Sequence, residues 1–336
     1  MKNSSANLKL FSHLYIEKRV LNHPKTAMIV DKFHASQIIE IDHYKDIFNR
    51  PSQSFVAQSG SKNLILAHKE GRFLHSGSQY SDGFGFDNFF YASSVMGCLY
   101  DCSYCYLQGL YPSANTVLAL NLEDAFSELE PHLNSPTLVA TSYDTDTLAI
   151  ESLTNQTSQW LEFVQNRENL HLEIRTKSAN IKVFERFMAL GQVVVAFTIS
   201  PQYIIDRYEF HTPSLQQRLR AIKKLSDQGW RVRVCMDPII YSSDFIAIYP
   251  PLIDELFSVI EPERLEHLTL GGFRMSQSHL RSLKKLARDD IAFFPYEIED
   301  NMVGYPSQLE DFILGVMEKK AKEYLDDKRI RVWRRQ

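Results

Sequence analysis

The chain has 336 residues, 44% of them hydrophobic, a formal net charge of -4 and a sequence pI near 6.3. This length allows one large α/β domain or two smaller domains, and the charge excludes a generally basic nucleic-acid-binding surface, so any such contact needs a local patch. No apolar run is long enough to cross a bilayer, and the amino terminus lacks the apolar core of a signal peptide. We therefore expect a cytoplasmic protein that does not contact a membrane.

Residues 1–88 are the least regular part of the chain, with a Gly/Ser-rich break at 58–61. We expect them to pack against the rest of the molecule as an N-terminal extension. From residue 89 onward, short β-branched or aromatic runs alternate with amphipathic helical patterns, which is typical of βα units that carry a parallel sheet. The clearest predicted helix covers 214–228. The six predicted strands are 89–96, 137–143, 171–176, 193–200, 231–236 and 267–271.

Six βα units predict an α/β fold built as a partial (β/α)6 TIM-like barrel over residues 89–275. Residues 276–336 form a predicted C-terminal extension. It contains a helix after Arg274, a hairpin segment at 293–305, a long amphipathic helix at about 307–325 and a final short strand.

Three of the four cysteines, Cys98, Cys102 and Cys105, have the spacing Cys-x3-Cys-x2-Cys directly after the first predicted strand. Such clustering indicates a metal site in a reducing compartment, because a secreted disulfide scaffold disperses its cysteines. Three thiolates on one short loop can ligate three irons of a 4Fe-4S cluster and leave the fourth iron open. S-adenosylmethionine (SAM) can bind there through its amino and carboxylate groups, so that one electron releases a 5′-deoxyadenosyl radical.

A zinc site of three thiolates completed by His and a set of buried structural cysteines are the alternatives. Zinc knuckles usually repeat a two-residue spacer in pairs, and the sequence contains no second pair. The spacing therefore predicts a radical SAM enzyme. Tyr104, immediately before the third cysteine, can cover the adenine of SAM with its ring or serve packing alone.

The segment 92–108, which ends in Cys-Ser-Tyr-Cys-Tyr-Leu-Gln, resembles the spore photoproduct lyase family. The likeness continues through segments 145–154, 175–177, 197–200, 208–218 and 237–239, in the same order and at similar spacing, and covers about residues 85–280. The resemblance implies a partial (β/α)6 barrel of the radical SAM type that repairs a thymine dimer in DNA by hydrogen abstraction.

The resemblance also implies that polar residues at strand ends hold SAM, namely Thr145, Asp146, Lys177 and Thr198. Lys177 can neutralise the methionine carboxylate, and Asp146 can accept a hydrogen bond from the amino group or the ribose. Each of these residues could instead satisfy local backbone groups.

The sequence departs from the family at the hydrogen donor to the product radical. The family places a cysteine three residues before the acidic residue that follows its second strand, and this chain has Tyr143 there. Tyr143 could donate a phenolic hydrogen, joining Tyr104 and Tyr106 in an aromatic relay. Alternatively, Cys235 is the donor if strand alternation turns it, with Asp237, into the barrel. Packing of Cys235 against the outer helices would exclude that role.

A second departure lies near the carboxyl end, where the family carries an aromatic and basic hairpin that wedges into the duplex. The corresponding segment 296–306 is acidic here, and carboxylates repel phosphates. Tyr305 and the basic segment 328–335 offset this objection, although that segment could equally be a solvated terminal strand.

Three functions remain open on the sequence alone. The first is radical repair of a DNA photoproduct, with damaged DNA and an electron donor such as flavodoxin or ferredoxin as partners. The second keeps the radical chemistry on a peptide, a tRNA base or a small metabolite. The third is an iron–sulfur or zinc binding protein without catalysis. The sequence does not predict an oligomeric state.

Overall fold

The computed structural model describes residues 11–33, 37–77 and 83–335. The strands in these residues are β1 (His13–Glu17), β2 (Gln37–Ile41), β3 (Leu64–Ala67), β4 (Leu74–Ser76), β5 (Asn88–Ala92), β6 (Val95–Met96), β7 (Asp101–Cys102), β8 (Thr116–Ala119), β9 (Thr137–Ala140), β10 (Leu170–Thr176), β11 (Val193–Thr198), β12 (Glu209–Phe210), β13 (Arg231–Ile239), β14 (Leu265–Gly272), β15 (Arg274–Ser276), β16 (Glu297–Glu299), β17 (Met302–Gly304) and β18 (Ile330–Trp333).

The helices of the described residues are α1 (Pro24–Val30), α2 (Lys45–Phe48), α3 (Phe55–Ser59), α4 (Leu107–Leu110), α5 (Leu122–Leu129), α6 (Thr147–Thr154), α7 (Gln156–Val164), α8 (Gln202–Tyr208), α9 (Leu215–Asp227), α10 (Phe245–Phe257), α11 (Gln277–Leu286) and α12 (Ser307–Ala321). Among the described residues, no helix is both long and apolar enough to span a membrane.

An eight-stranded sheet contains the largest apolar core, with the strand order β18-β14-β13-β11-β10-β9-β5-β4. Neighbouring strands are parallel along the series β5, β9, β10, β11, β13, β14 and β18. Strand β4 pairs antiparallel with β5. Each of the six predicted strands contributes to this sheet in chain order, which confirms the α/β class. Parallel strands bring their carboxyl ends to one edge, where the predicted SAM residues follow β9 and β10 or end β11.

The first predicted strand, 89–96, is wrong as one continuous strand. It splits into β5 in the eight-stranded sheet and β6 in a different sheet. The break falls at two buried serines whose side chains bond across the fold: Ser93 donates to Asp144, and Ser94 donates to Gln156 at 2.6 Å. Side-chain hydrogen bonds of this kind hold the backbone out of a regular ladder.

A five-stranded sheet, with the order β2-β1-β3-β8-β6, uses strands from both sides of residue 88. Alternation along β3 sends Leu64 and Leu66 into one apolar cluster and Ile65 and Ala67 into another, so both faces of this sheet are covered. The proposed division into residues 1–88, 89–275 and 276–336 stays a prediction.

Local signals fix the helix that sequence periodicity predicts most clearly. Ser214 caps α9 and forms a reciprocal capping box with Gln217. Leu219 and Ile222 are buried on the same helix face. Gly229, with φ 85°, ends the segment in the left-handed conformation, so the predicted helix at 214–228 is confirmed.

The carboxyl-terminal extension also contains its predicted elements: α11, a hairpin of β16 and β17, α12 and β18. Asp300 and Asn301 have φ values of 45° and 64°, as the tight turn of a two-residue hairpin requires. Strand β15 joins the hairpin as a third strand, and β18 extends the eight-stranded sheet beside β14.

Candidate active site

The cysteine loop, residues 97–105, begins at Gly97 directly after β6. Gly97 has φ 87°, and a Cβ there would lie 2.5 Å from the backbone oxygen of Asn115, so only glycine fits. Lys62 Nζ donates to the carbonyl oxygens of Cys98 and the next two residues at 2.7, 3.1 and 3.3 Å. One buried ammonium group thus fixes the first half of the loop.

The second half of the loop is held by distant segments. Arg288 forms a two-pronged ion pair with Asp101, with one Nη1–Oδ1 distance of 2.7 Å. Gln108 donates to the carbonyl of Cys102 at 2.7 Å. The short strand β7 pairs antiparallel with β12. Because Arg288 follows α11 and β12 follows α8, the loop is clamped by chain more than 100 residues away.

The three loop thiols are free and lie close enough to influence one another. Burial raises the pKa of Cys98 to about 12, and burial also raises the pKa of Cys102 and Cys105. The positive charge of Lys177 acts against the shift at Cys102 and Cys105. A metal would replace the protons at such sites, since the thiolate is the ligand.

Among the described residues, no three His, Cys, Asp or Glu side chains are arranged to hold a metal ion. The fit of a cluster therefore rests on the chemistry of the donor set. One buried and two partly buried thiols on one clamped loop, with a lysine beside two of them, suit a cubane that has one open iron. Cys98, Cys102 and Cys105 are the residues that would hold it.

Tyr104 belongs to a buried polar network beside the loop. Its hydroxyl donates to Glu209, whose carboxylate also accepts from Arg218 and, at 3.1 Å, from Ser200. Burial alone would raise the pKa of Glu209, but the charges of Arg218 and Lys177 lower it below its usual value. Lys177 Nζ lies 5.5 Å from the centroid of the Tyr104 ring, so the predicted adenine-covering ring and carboxylate-binding lysine are neighbours.

Asp146 is engaged within the protein. It caps α6 by accepting from the backbone N–H of Ala149 at 3.1 Å, and it also accepts from the Thr176 hydroxyl at 2.8 Å and from the backbone N–H of Lys177 at 2.7 Å. Burial raises the pKa of this carboxyl even though those hydrogen bonds act to lower it. The carboxylate thus fixes the backbone from which the Lys177 side chain departs.

The two predicted threonines are buried at the same edge of the sheet. Thr145 directly precedes Asp146, and Thr198 ends β11 in register with Cys235 of β13. The Thr198 carbonyl accepts from Arg218 at 3.0 Å. The structure thus brings Thr198 to the Tyr104 network and Thr145 to the Asp146 cap.

An aromatic row leads away from the cysteine loop. Tyr106 lies one residue after the last cysteine, and its hydroxyl donates to the backbone carbonyl of Tyr143. The ring centroids of Tyr106 and Tyr143 are 5.6 Å apart, Tyr143 stacks on Tyr91 at 4.0 Å, and Tyr106 lies 6.1 Å from His279. Tyr143 is 38% exposed, so this row reaches solvent.

Cys235 lies on the polar face of β13. It is fully buried and within electrostatic influence of Arg175, Glu173, Arg233 and Asp237, whereas its neighbours in sequence point into the apolar core. Burial raises the pKa of its thiol. Cys235 therefore does not have the packing against outer helices that would exclude it as the hydrogen donor.

Comparison with known proteins decides the family. A family model described as spore photoproduct lyase matches residues 11–287. The chain belongs to the spore photoproduct lyase family. It is a radical SAM lyase whose family cofactors are a 4Fe-4S cluster and SAM, as the cysteine spacing and the resemblance predict.

Spore photoproduct lyase of Geobacillus sp. (strain Y412MC61) is 22% identical over 264 residues, which cover 76% of each chain. The Bacillus subtilis (strain 168) family member is 23% identical over 268 residues, covering 76% of this chain and 75% of its own. A solved spore photoproduct lyase complexed with dinucleoside spore photoproduct superposes with a TM-score of 0.81 at 19% identity, covering 96% of this chain and 98% of the other. A double mutant with bound AdoMet and the same dinucleoside gives 0.79, at 97% and 99% coverage.

Sequence reasoning assigned no role to several residues that build this family member's site: Lys62, Asp101, Thr176, Glu209, Arg218 and Arg288. One signal was available for Arg218. It lies between Leu215 and Leu219, on the apolar stripe of α9, where a charged residue requires a buried partner. Lys62, Asp101, Thr176 and Arg288 carry no local signal, because their main partners lie 30 or more residues away in the sequence.

The basic carboxyl-terminal segment of this family member is largely engaged within the protein. Arg329 donates to the carbonyls of Pro262 and Leu265, and Arg334 pairs with Asp311 at 2.9 Å. Arg335 is buried against Glu310 and the Tyr305 carbonyl. These contacts favour the terminal-strand interpretation over a free basic patch.

A groove of about 400 Å³ lies between α11 and the hairpin. Arg281 and Lys284 of α11 line it, together with Phe293 and Ile298, which are 56% and 58% exposed. The acidic hairpin thus has cations and large apolar side chains beside it. Since His279 of the same helix approaches Tyr106, α11 connects this groove to the aromatic row.

Proposed function

We propose that this protein repairs a thymine-dimer photoproduct in DNA by reductive cleavage of SAM and hydrogen abstraction from the lesion. The observation that carries the proposal is the clamped loop of three free thiols beside Lys177 and the aromatic row. The presence of dinucleoside spore photoproduct in matched family structures supports the choice of substrate. When bound, the cluster and SAM supply the 5′-deoxyadenosyl radical.

In this proposal the eight-stranded sheet curves as a partial (β/α)6 barrel around the site. The support is its strand order, in which six parallel strands are neighbours in chain order. Parallel βα units with this order direct their carboxyl ends, and the residues that follow them, to one mouth.

The SAM-binding roles follow from the contacts around Lys177. Its ammonium group binds the methionine carboxylate, and Tyr104 covers the adenine. Asp146 acts mainly by positioning Lys177, since both of its oxygens already accept hydrogen bonds. Thr145 and Thr198 complete the polar lining at the strand ends.

Tyr143 is the proposed hydrogen donor, and Tyr106 is the residue that restores it after each turnover. A hydrogen atom passes from the Tyr143 O–H to the product carbon radical and leaves a phenoxyl radical. Tyr106, whose ring lies 5.6 Å away, restores Tyr143 by giving up its own hydroxyl hydrogen. The radical on Tyr106 then takes one electron from a flavodoxin or ferredoxin and one proton from solvent. Cys235 is the competing donor.

The groove between α11 and the hairpin is the proposed contact for the DNA backbone. Arg281 and Lys284 can neutralise phosphates, and Phe293 can stack on a displaced base. Ile298 of the hairpin lines this groove, so alternation along β16 turns Glu297 and Glu299 to the opposite face.

Anaerobic reconstitution followed by incubation with reductant, SAM and photoproduct-containing oligonucleotide tests the function. We expect 5′-deoxyadenosine and repaired thymines. In deuterated water the repaired base should carry deuterium, because a phenolic hydrogen exchanges with solvent. Production of 5′-deoxyadenosine with no change in the oligonucleotide would instead favour a peptide, tRNA base or small-metabolite substrate. A loaded cluster that yields no 5′-deoxyadenosine would leave a non-catalytic iron–sulfur protein.

Tyr143→Phe separates the donors. We expect repair to fall about tenfold or more, equivalent to about 1.4 kcal/mol in the barrier, while 5′-deoxyadenosine still forms. Tyr203→Phe is the matched control, because Tyr203 is an exposed tyrosine of α8. Unchanged repair in Tyr143→Phe, together with loss of repair in Cys235→Ser, would transfer the donor role to Cys235.

A further inference from the structure

The polar face of the eight-stranded sheet carries one arginine whose bonding capacity is mostly unused. Alternation along β10 places Glu173, Arg175 and Lys177 on the same face. Arg175 Nε donates to Glu173 at 3.1 Å. In the described part of the chain no hydrogen bond reaches its Nη1 or Nη2, and its side chain is 42% exposed.

The other arginines of this face are either bonded or buried: the Nε of Arg233 has no partner among the described residues, but the Arg233 side chain is only 4% exposed. Arg233 pairs with Glu173, lies 3.8 Å from Glu266 and stacks under the Phe84 ring at 3.4 Å. Arg274 makes two hydrogen bonds to Asp237, at 2.7 and 3.1 Å, and lies 4.0 Å from the centroid of the Trp333 ring. Among the described arginines of this face, Arg175 therefore combines open Nη groups with a side chain that is exposed to solvent.

Charge on this face is unbalanced at the same place. The single carboxylate of Glu173 serves both Arg175 and Arg233, and Asp237 is paired with Arg274. Glu266 is paired with Arg231. Lys177 aside, these four arginines face three carboxylates and therefore keep one positive charge in excess. Glu173 raises the pKa of Arg175 further, against the effect of burial, so this charge is permanent.

The open guanidinium lies next to the proposed donor. Arg175 and Tyr91 are close enough to interact electrostatically, and Tyr91 stacks on Tyr143 at 4.0 Å. Arg175 is in register with Ala196 of the neighbouring strand β11. Tyr91 thus connects the open guanidinium to the ring of Tyr143.

A guanidinium with parallel open N–H groups matches an anion with two oxygens, and phosphate is the anion that a dinucleotide lesion carries between its bases. We propose that Arg175 binds the phosphate that links the two thymines and so places the lesion against Tyr143. This inference rests on the proposed function, because it assumes a DNA lesion as substrate.

The carboxylate of SAM is the other anion that this guanidinium could bind, since Lys177 is two residues away on the same face. The two ligands make different demands. A role in substrate binding depends on the presence of the linking phosphate and leaves SAM affinity unchanged. A role in SAM binding has the opposite signature.

A binding comparison with and without the phosphate tests the proposal. Reconstituted protein with SAM and no reductant is titrated with the dinucleotide photoproduct and with the dinucleoside photoproduct, which lacks the phosphate. We expect the wild type to bind the dinucleotide about tenfold more tightly, the order of one or two charge-assisted hydrogen bonds. Arg175→Met should abolish this preference and leave dinucleoside affinity within about twofold.

Two further variants serve as controls. Arg175→Lys keeps the positive charge but lacks the paired N–H groups of a guanidinium, and it should retain part of the preference for the dinucleotide. Arg220→Met removes an exposed arginine of α9 and should retain all of it. Thermal unfolding establishes that Arg175→Met is folded, and equilibrium dialysis measures its affinity for SAM.

Several outcomes overturn the inference. The wild type could bind both ligands equally, Arg175→Met could weaken both equally, or it could lose SAM affinity while keeping the phosphate preference. The last result would assign the guanidinium to SAM. Failure of the wild type to bind either photoproduct would overturn the proposed substrate itself, and the inference with it, so the two failures are distinguishable.

Discussion

The two ends of the site differ in how far the protein satisfies its own polar groups. At the cysteine loop, Lys62, Arg288 and Arg218 are each bound by carbonyl or carboxylate oxygens of the chain. At the aromatic row, Tyr143 is 38% exposed and Arg175 has open N–H groups. The difference indicates that the loop end is organised before any ligand arrives, whereas the row end is completed by the substrate.

We expect the largest effect on this comparison when a cluster ligand is removed. Cys102→Ala leaves two thiols on the loop, and we expect iron loading and 5′-deoxyadenosine formation to fall to background. Iron and sulfide analysis after anaerobic reconstitution measures the first, and chromatography measures the second. Cys235→Ala is the matched control and should load normally. Normal loading in Cys102→Ala would show that the loop is not the cluster site.

Arg218→Met should lower the free energy of unfolding by destabilising the loop end of the site. It leaves the carboxylate of Glu209 buried without its main partner, and both side chains of the pair are 0% exposed. The expected loss is about 3–5 kcal/mol, measured by urea denaturation of the metal-free protein. Adding Glu209→Gln should restore part of that stability, because the unpaired charge is removed.

The control for that pair is Lys223→Met, which breaks an exposed ion pair to Asp227 on the same helix and should change stability little. Equal losses in Lys223→Met and Arg218→Met would contradict the view that the loop end is held by buried charge.

A smaller effect is expected from Arg288→Met, which releases the second half of the loop. The pair with Asp101 is mostly buried, so we expect a loss of about 1.5–3 kcal/mol. Hydrogen exchange should increase in residues 97–105 and remain unchanged in β10. Arg207→Met, at the exposed pair to Asp290, is the control. Faster exchange throughout the protein would argue for general destabilisation instead.

The smallest expected effect concerns Asp144, which is buried next to Tyr143. Burial raises the pKa of Asp144, although hydrogen bonds from Ser93 and Tyr111 and the charge of Lys69 lower it. The folded protein therefore holds this proton above the usual pKa of 3.8, and the carboxyl costs stability as pH rises from 3.8 through the raised pKa.

Asp144→Asn removes this titration while retaining an acceptor for Ser93. Relative to the variant, the wild type should lose stability as pH rises through that window and then remain constant, as measured by urea denaturation between about pH 4 and 7. A difference between the two proteins that is independent of pH would contradict the assigned shift.

The sequence by itself determined the chemistry that depends on short spacing. Cys98, Cys102 and Cys105 lie within eight residues, and no distant segment is needed to recognise them as a ligand set. Periodicity likewise determined α9 and the alternation of strands and helices, because both arise from which faces are buried. The family resemblance identified Lys177 and Asp146 as neighbours of the site.

Tertiary structure decided everything that requires partners from distant segments. No local pattern shows that Glu209 accepts hydrogen bonds from both Tyr104 and Arg218. Nor does any local pattern show that Arg288 pairs with Asp101, which is 187 residues away in the sequence. The split of the first strand at Ser93 also depends on a remote carboxylate, Asp144. Spacing can specify which atoms bind a metal, but the energy of a buried charge depends on what the folded chain places beside it.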